Sequence, residues 1–341
     1  MRKAFFASVV LILLSLMFIS CESTKHVVPP TVNANTFTFI RELGGESVGA
    51  VAHRQLDPWT VRGQGRNMLK AHQGNGVKPW DLNIDPGTDS VVLMQNDGTN
   101  ERVIANQAGK FYSVQLAPKA KKGVFAAESS GYEQVFVIGL TDLDNVVITQ
   151  LTTDSENHGY PQLSNDGKQV VFMKYVDVGD GYVVQTAIMS VSGGAETVIS
   201  TPTMWTYAPA FTPDGKIIFT NDYTGQIHMM NADGSGMTTI TASEGVYWDY
   251  HPSVSPDGLT VSFTRSGEGY DIYTQHLDGT NLKQLTTDGM SWDSLYVNNK
   301  IVFCSHRDEA SGNEMYSMNL DGTSQTRLTN NSVNEYFWYF D

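Results

Sequence analysis

Cysteine is nearly missing from this chain: Cys21 and Cys304 are the only two in 341 residues. They cannot build a disulfide framework, so stability has to come from a large apolar core, which a chain of this length can supply. Helical periodicity is absent almost throughout, which leaves strands as the building material. Basic residues are scarce, 22 Lys and Arg against 36 Asp and Glu, for a net charge of −14. An acidic surface repels phosphate backbones and anionic lipid, so nucleic acid is not an expected partner. No Gly-rich loop leads into a helix to cradle a phosphate, and the eight histidines include no close pair at metal-ligand spacing. No cofactor is therefore expected.

The long apolar run is confined to the start. "MRK" is followed by "AFFASVVLILLSLMFIS", and the run stops at Cys21 with "ESTKHVVPP" behind it. This is signal-peptide architecture. The "FISC" junction resembles a bacterial lipoprotein box, which implies cleavage before Cys21 and diacylglycerol on its sulfur. An ordinary signal peptide and an N-terminal membrane anchor are the alternatives. Loss of Arg2 and Lys3 with residues 1–20 would take the charge from −14 to −16. Residues 21–35, with Pro29 and Pro30 and no apolar pattern, read as a tether. The expected location is the bacterial cell envelope, with the lipid holding the protein to the outer membrane. Cys304 lies in "KIVFCS" and is expected to be buried in a strand.

What is present is a repeat. "HPSVSPDGLTVSFTR", "APAFTPDGKIIFTND" and "YPQLSNDGKQVVFMK" are versions of one phrase. Each holds two alternating runs around a turn pair such as Asp257-Gly258, read as a two-residue hairpin. Equivalent turns fall near Lys121 and at Asp166-Gly167, Asp214-Gly215 and Asn298-Asn299. A second hairpin, as in "MYSMNLDGTSQTRL", follows each, and a Leu/Ile-Thr ending closes the unit. The repeat of about 40 to 50 residues is four strands with their loops, the size of a propeller blade.

The ends settle the count. "VVLMQNDGTNERVI" at 91–104 aligns without a gap on 315–328 and supplies a sixth second hairpin. The first hairpin occurs only five times, and "NEYFWYFD" stands where a sixth would begin, with "TFTFIR" at 36–41 as its partner. The expected fold is all-β: a six-bladed β-propeller of four-stranded antiparallel blades over 36–341, its ring closed by pairing of the N- and C-terminal strands. A long insertion is then expected at about 42–90, over the channel mouth. A rival reading takes 81–95 as a first hairpin in its own right.

"SPDG" before an apolar run, "EMYSMNLDGTSQTRLT" and "SHRD" at 305–308 resemble the propeller repeats of the TolB family, which is related to the propeller of prolyl oligopeptidases. The resemblance is good over 110–340 and poor over 36–109, and no counterpart is expected for the α/β domain that precedes the propeller in TolB. Such propellers serve binding proteins, scaffolds and enzymes alike, so the resemblance speaks to fold more than to function.

Segments entering the innermost strands supply the candidate site: "NHGYP", "MWTYAP", "YWDYHP", "SWDS" and "NEYFW". They place Tyr160, Tyr207, Trp248, Trp292 and Tyr336 at similar rim positions, beside Asp249, Asp293, Glu335 and His251. Aromatic faces with interspersed acids suit a protein, peptide or glycan ligand. Packing between blades is the competing role for each of these side chains. The expected function is non-catalytic binding at the channel mouth. "GESVG" at 45–49 fits a nucleophile elbow but lacks the α/β-hydrolase sheet that motif requires, so Ser47 is not taken as catalytic. Some propellers of this type are metal-dependent oligogalacturonate lyases, and that resemblance implies the alternative, a metal-dependent polysaccharide lyase or hydrolase with His158 and His251 as ligands.

The anchor is directly testable. Cys21→Ser should abolish incorporation of labelled palmitate and release the protein from membranes. A wild type that takes up no label, with Cys21→Ser still in the membrane fraction, would overturn the lipoprotein reading.

Overall fold

The computed structural model describes residues 32–43, 88–106, 111–179, 181–243, 247–308, 312–331 and 333–337. The signal segment, Cys21 and positions 44–87 of the expected insertion lie outside the described residues.

The described residues form six four-stranded antiparallel sheets. The first joins β1 (Thr36–Leu43), β2 (Thr88–Gln95) and β3 (Arg102–Asn106) to the last strand of the chain, β24 (Glu335–Tyr336), in the order β24-β1-β2-β3. The second holds β4 (Phe111–Ala117), β5 (Lys122–Ser129), β6 (Tyr132–Gly139) and β7 (Val147–Gln150). The third holds β8 (Asn157–Leu163), β9 (Gln169–Asp177), β10 (Tyr182–Ser190) and β11 (Thr197–Val198). The fourth runs through β12 (Thr206–Phe211), β13 (Ile217–Asn221), β14 (Gln226–Met230) and β15 (Thr238–Thr239). In the fifth are β16 (Trp248–Val254), β17 (Thr260–Ser266), β18 (Tyr270–His276) and β19 (Lys283–Gln284). The sixth completes the ring with β20 (Ser291–Val297), β21 (Lys300–Ser305), β22 (Glu314–Asn319) and β23 (Thr326–Arg327). This is a six-bladed propeller, and β1 pairs with both β2 and β24.

The second strand of each blade lies inside its sheet and is covered on both faces by neighbouring blades. The sequence answers with a phenylalanine at the same place in all six: Phe39, Phe125, Phe172, Phe219, Phe263 and Phe303 are each at most 2% exposed. Blade packs on blade through these rows. Val124 and Val135 meet Phe172 and Ala187, Ile218 and Ile227 meet Val261 and Phe263, and Ile272 meets Ile301 and Phe303. Cys304, in β21, is fully buried beside Met315.

At Asn298-Asn299 the first-hairpin turn has the two residues read from the sequence, Val297 pairing with Lys300, but in the third, fourth and fifth blades it is longer. Val254 pairs with Val261, the Ser255 N–H donates to the Thr260 carbonyl at 2.8 Å, and the Gly258 N–H donates back to the Ser255 carbonyl at 2.8 Å. Four residues therefore lie between the last bonded pair. The reason is a side-chain network: Ser255 Oγ accepts from the Thr260 N–H at 2.9 Å and donates to Asp257 at 2.6 Å. Gly258 takes φ +75°, as the turn requires. Ser164 with Asp166 and Thr212 with Asp214 repeat the arrangement, and these hydroxyl bonds lower the pKa of all three aspartates.

Removal of residues 334–341 tests the closure. It deletes β24, exposes the edge of β1, strips Phe337 from Phe37 (rings 6.1 Å apart) and leaves Arg41 without its buried Glu335. The expected loss, more than about 5 kcal/mol, is comparable with the whole stability of a typical domain, and cooperative melting should disappear. A truncated protein melting within a few degrees of the full chain would refute the shared blade.

Candidate functional site

Each innermost strand is an edge strand facing the channel, which is why it tolerates Pro161, Pro209 and Pro252. Just before these positions the pairing is broken by a bulge, between Gly159 and Gln162, Tyr207 and Ala210, Tyr250 and Ser253, and Trp292 and Leu295. In each bulge a non-glycine residue adopts positive φ: Tyr160 at +51°, Ala208 at +47°, His251 at +49° and Asp293 at +54°. These four are structural equivalents, and His158 is not among them. The backbone there is held out of its preferred regions so that one side chain per blade is re-aimed.

The re-aimed side chains meet across the ring. Tyr160 stacks on His251 with ring centroids 5.8 Å apart, although a whole blade separates β8 from β16 in the ring. Only a contact across the central channel can join them. Tyr207, one residue before the bulge position, shares a hydroxyl–hydroxyl bond with Tyr160 and lies 5.4 Å from His251. His251 Nδ1 is 2.5 Å from Asp293 Oδ1, and both side chains are buried. Burial pushes the phenol pKa values of Tyr160 and Tyr207 well up, and the Asp293 charge adds to both. The two phenols stay protonated, so this cluster fills the channel with neutral donors around one acid–imidazole pair. Trp292 and Tyr336 are also buried, in the surrounding apolar core; the Tyr336 hydroxyl reaches Asp89, which also accepts from the Phe111 N–H at 3.1 Å.

Two of the candidate acids lie elsewhere. Asp249 is fully buried and holds Arg265 in a two-point bond, Nε–Oδ1 2.6 Å and Nη2–Oδ2 2.9 Å. Glu335 is likewise buried against Arg41, which also binds Glu101. In both blades the guanidinium sits over the phenylalanine of the second strand, Arg265 at 5.3 Å from Phe263 and Arg41 at 5.4 Å from Phe39. Burial raises the pKa of Glu335 although Arg41 pulls it down.

In the third blade His158 occupies the position of those acids, and Lys174 that of the arginines. Its Nε2 is 3.3 Å from Glu196 and 3.6 Å from Asp154. These three side chains are close enough to hold a metal ion. The donor set does not fit a metal, however, because the Lys174 ammonium already stands among the acids, bound to Glu196, 2.6 Å from Glu156 and 3.5 Å from Asp154. His251 belongs to the separate channel cluster, so the two histidines do not converge on one ion. "DVGDG" at 177–181 is the link from β9 to β10, tightened by a bond from the Gly179 N–H to Asp177 at 2.7 Å.

Above the filled centre, at the end of the blades where first strands start and second strands finish, aromatic side chains remain half-buried. Trp248 lies flat on the Gly225 backbone; a Cβ there would come within 2.8 Å of Trp248 Cγ, so only glycine fits. Tyr182 stacks on Trp205 at 5.8 Å with planes 20° apart, and Trp205 meets Tyr223 at 5.8 Å. Beside them is Asp222, whose N–H donates to the Trp205 carbonyl. Its charge raises the phenol pKa values of Tyr182, Tyr207 and Tyr250, after desolvation, which is the larger cause in each. Burial pushes the Asp222 carboxyl itself up to about 6. Sequence reading did not single out Asp222, Tyr182, Trp205 or Tyr250. The signal available was "TNDYTG", where a carboxylate and an aromatic end a second strand opposite the segments already noted. On the same end, a cavity of about 520 Å³ opens among residues of the fifth blade and the loop leading from it, lined by Tyr247, Arg265, Asp271, Tyr273 and Asp288 among others.

Fold and site define a class: a six-bladed propeller whose centre is closed by side chains and whose mouth carries aromatic rings and a carboxylate. Residues 161–337 match the family model of the TolB beta propeller domain, and the chain belongs to that family. Among solved structures it is similar to TolB from Acinetobacter baumannii, with a TM-score of 0.62 and 15% identity over 91% of this chain and 68% of that one. It is also similar to a putative TolB from Agrobacterium tumefaciens, with a TM-score of 0.55 and 19% identity over 67% and 84%. An oligogalacturonate lyase in complex with manganese shares the fold at a TM-score of 0.50 and 15% identity over 71% and 72%. No curated protein matches the chain in sequence.

Asp222 yields a pH prediction. Its folded pKa of about 6 lies above its ordinary value of 3.8, so the folded state binds its proton more tightly than the unfolded state. The group therefore costs stability above pH 6, and the cost fades as pH falls through 6 toward 4. Asp222→Asn should gain roughly 1–3 kcal/mol at pH 8 and nothing at pH 4. Denaturant melts at both pH values check this, and an equal shift at both would refute it.

Proposed function

We propose that this propeller is a non-catalytic binding module that holds a protein or peptide segment at its mouth. The observation that carries the reading is the contrast between two levels of the same channel. Tyr160, Tyr207, His251 and Asp293 meet in the centre, bonded or stacked on one another, and occupy it among the described residues. At the mouth, Tyr182, Trp205, Tyr250 and Trp248 keep part of their ring faces in water. Rigid, half-buried aromatics give contact area at low entropic cost, the usual composition of a recognition surface. A glycan could use the same faces and is distinguished by the test below. A metal-assisted lyase would need a donor set without the Lys174 ammonium at its centre.

The setting proposed is the bacterial envelope, with the propeller tethered through lipid on Cys21. Among the described residues no helix is long and apolar enough to cross a membrane.

A photo-crosslinking amino acid at position 248 in the native envelope tests the mouth directly. The expected result is a discrete protein or peptide adduct at 248 and none at Leu259, an exposed turn residue at the opposite ends of the strands. Equal adducts at both positions would overturn the assignment. Attachment of carbohydrate alone at 248 would replace the peptide by a glycan.

A further inference from the structure

We propose that the wall of the mouth formed by the third, fourth and fifth blades recognises a cationic side chain, guanidinium or ammonium, of the bound segment, with Asp222 as its counter-charge and the rings of Tyr182, Trp205 and Tyr250 as its walls. This deepens the peptide-binding reading above and rests on it.

Elsewhere this protein gives its buried acids a partner. Asp249 has Arg265, Glu335 has Arg41, Glu314 has Arg327, and Glu196 has Lys174. In the first, second and fourth of these pairs the cation also lies beside the acid of an innermost strand or its substitute. Asp293 is bonded to His251, and Asp89 accepts from the Phe111 N–H and the Tyr336 hydroxyl; Asp222 differs from all of these. Its carboxylate, half-buried among aromatic rings, has no ion-pair or hydrogen-bond partner among the described residues. A buried carboxylate without a cation is costly to keep, and here the cost falls beside a surface built of ring faces. Ring faces carry negative quadrupole potential, so the carboxylate and the aromatics favour the same kind of guest. The protein itself shows the geometry that satisfies such a guest. Arg265 stacks 5.1 Å from the Tyr273 ring and 5.3 Å from Phe263 while bonding Asp249, and Arg307 lies 4.9 Å from Tyr316 and 5.3 Å from Phe303 while bonding Asp288. Carboxylate plus aromatic faces is the local recipe for holding a cation, and at Asp222 the cation is the one component not supplied by a described residue. The acidic charge of the whole chain, −14, would attract a basic segment to the protein.

The test uses the full chain at pH 7.5 and low salt, with N-acetyl-arginine amide and N-acetyl-lysine amide as probes and N-acetyl-citrulline amide as the neutral isostere. Binding is followed by the indole signals of Trp205 and Trp248 in NMR titrations. The expected result is at least tenfold tighter binding of one or both cationic probes than of citrulline amide. Asp222→Asn should remove that preference, and high salt should weaken it. Asp222→Asn is expected to fold, since it removes a buried charge; should it not, Trp205→Ala with the same probes provides the second variant. Equal binding of arginine, lysine and citrulline amides, or a cation preference unchanged in Asp222→Asn, would overturn the proposal. If all three then shift the mouth indoles equally, the binding face survives and only its charge preference falls. If no probe shifts them, both readings fall together.

Discussion

Arg41 and Glu335 are 294 residues apart in the chain, yet they bond inside one sheet, and the rest of the propeller relies on the pairing they belong to. A propeller blade buries its second-strand phenylalanine only if a blade stands on each side of it, so five blades and a gap would leave two apolar faces in water. The two-residue strand β24 fills the innermost place of the first blade, and Phe337 continues it into the core against Phe37. The seam carries a charge pair in addition to two backbone-paired residues, which fixes register where so short a strand could otherwise slip.

The same charge device appears around the ring in altered form. An acid on the innermost strand with a cation over the phenylalanine is found as Glu335 with Arg41 and as Asp249 with Arg265. In the third blade the acid moves to Glu196 and His158 takes the vacated place. These pairs are structural in the sense that breaking one strands a buried charge. They also explain why acids that look like ligand contacts from their place in the sequence are spent inside their own blades.

The centre of the ring is built from positions where the repeat departs from this pattern. In four of the six blades the bulges turn one residue toward the axis, and because the four residues differ, Tyr160, Ala208, His251 and Asp293 fill the centre by complementarity rather than by symmetry. Ala208 leaves the room that Tyr160, Tyr207 and His251 occupy together. Above them, Asp222 keeps a desolvated carboxylate among rings, an arrangement with a stability cost and no structural return within the described residues.

Much of the fold was legible in the sequence, because blade architecture is local. Each hairpin is written in adjacent residues as alternating apolar positions around a turn, and in the third, fourth and fifth blades a hydroxyl two residues before an aspartate and a glycine mark the first turn. The gapless match of 91–104 on 315–328 even gave the blade count and the closure. The candidate site was legible only as a set of strand-entry segments. Which side chain in "NHGYP" or "YWDYHP" would face the axis depends on a bulge and a positive φ that no residue type announces, since tyrosine, alanine, histidine and aspartate all adopt it here. Likewise, whether Asp249, Glu335 or Asp222 would be the acid left without a partner was decided by which cation each could reach across a strand. Composition and repeat therefore determined the ring by themselves. Tertiary structure alone decided which charges the ring neutralises internally and which one it presents at its mouth, because those pairings join residues that are neighbours in the sheet and strangers in the chain.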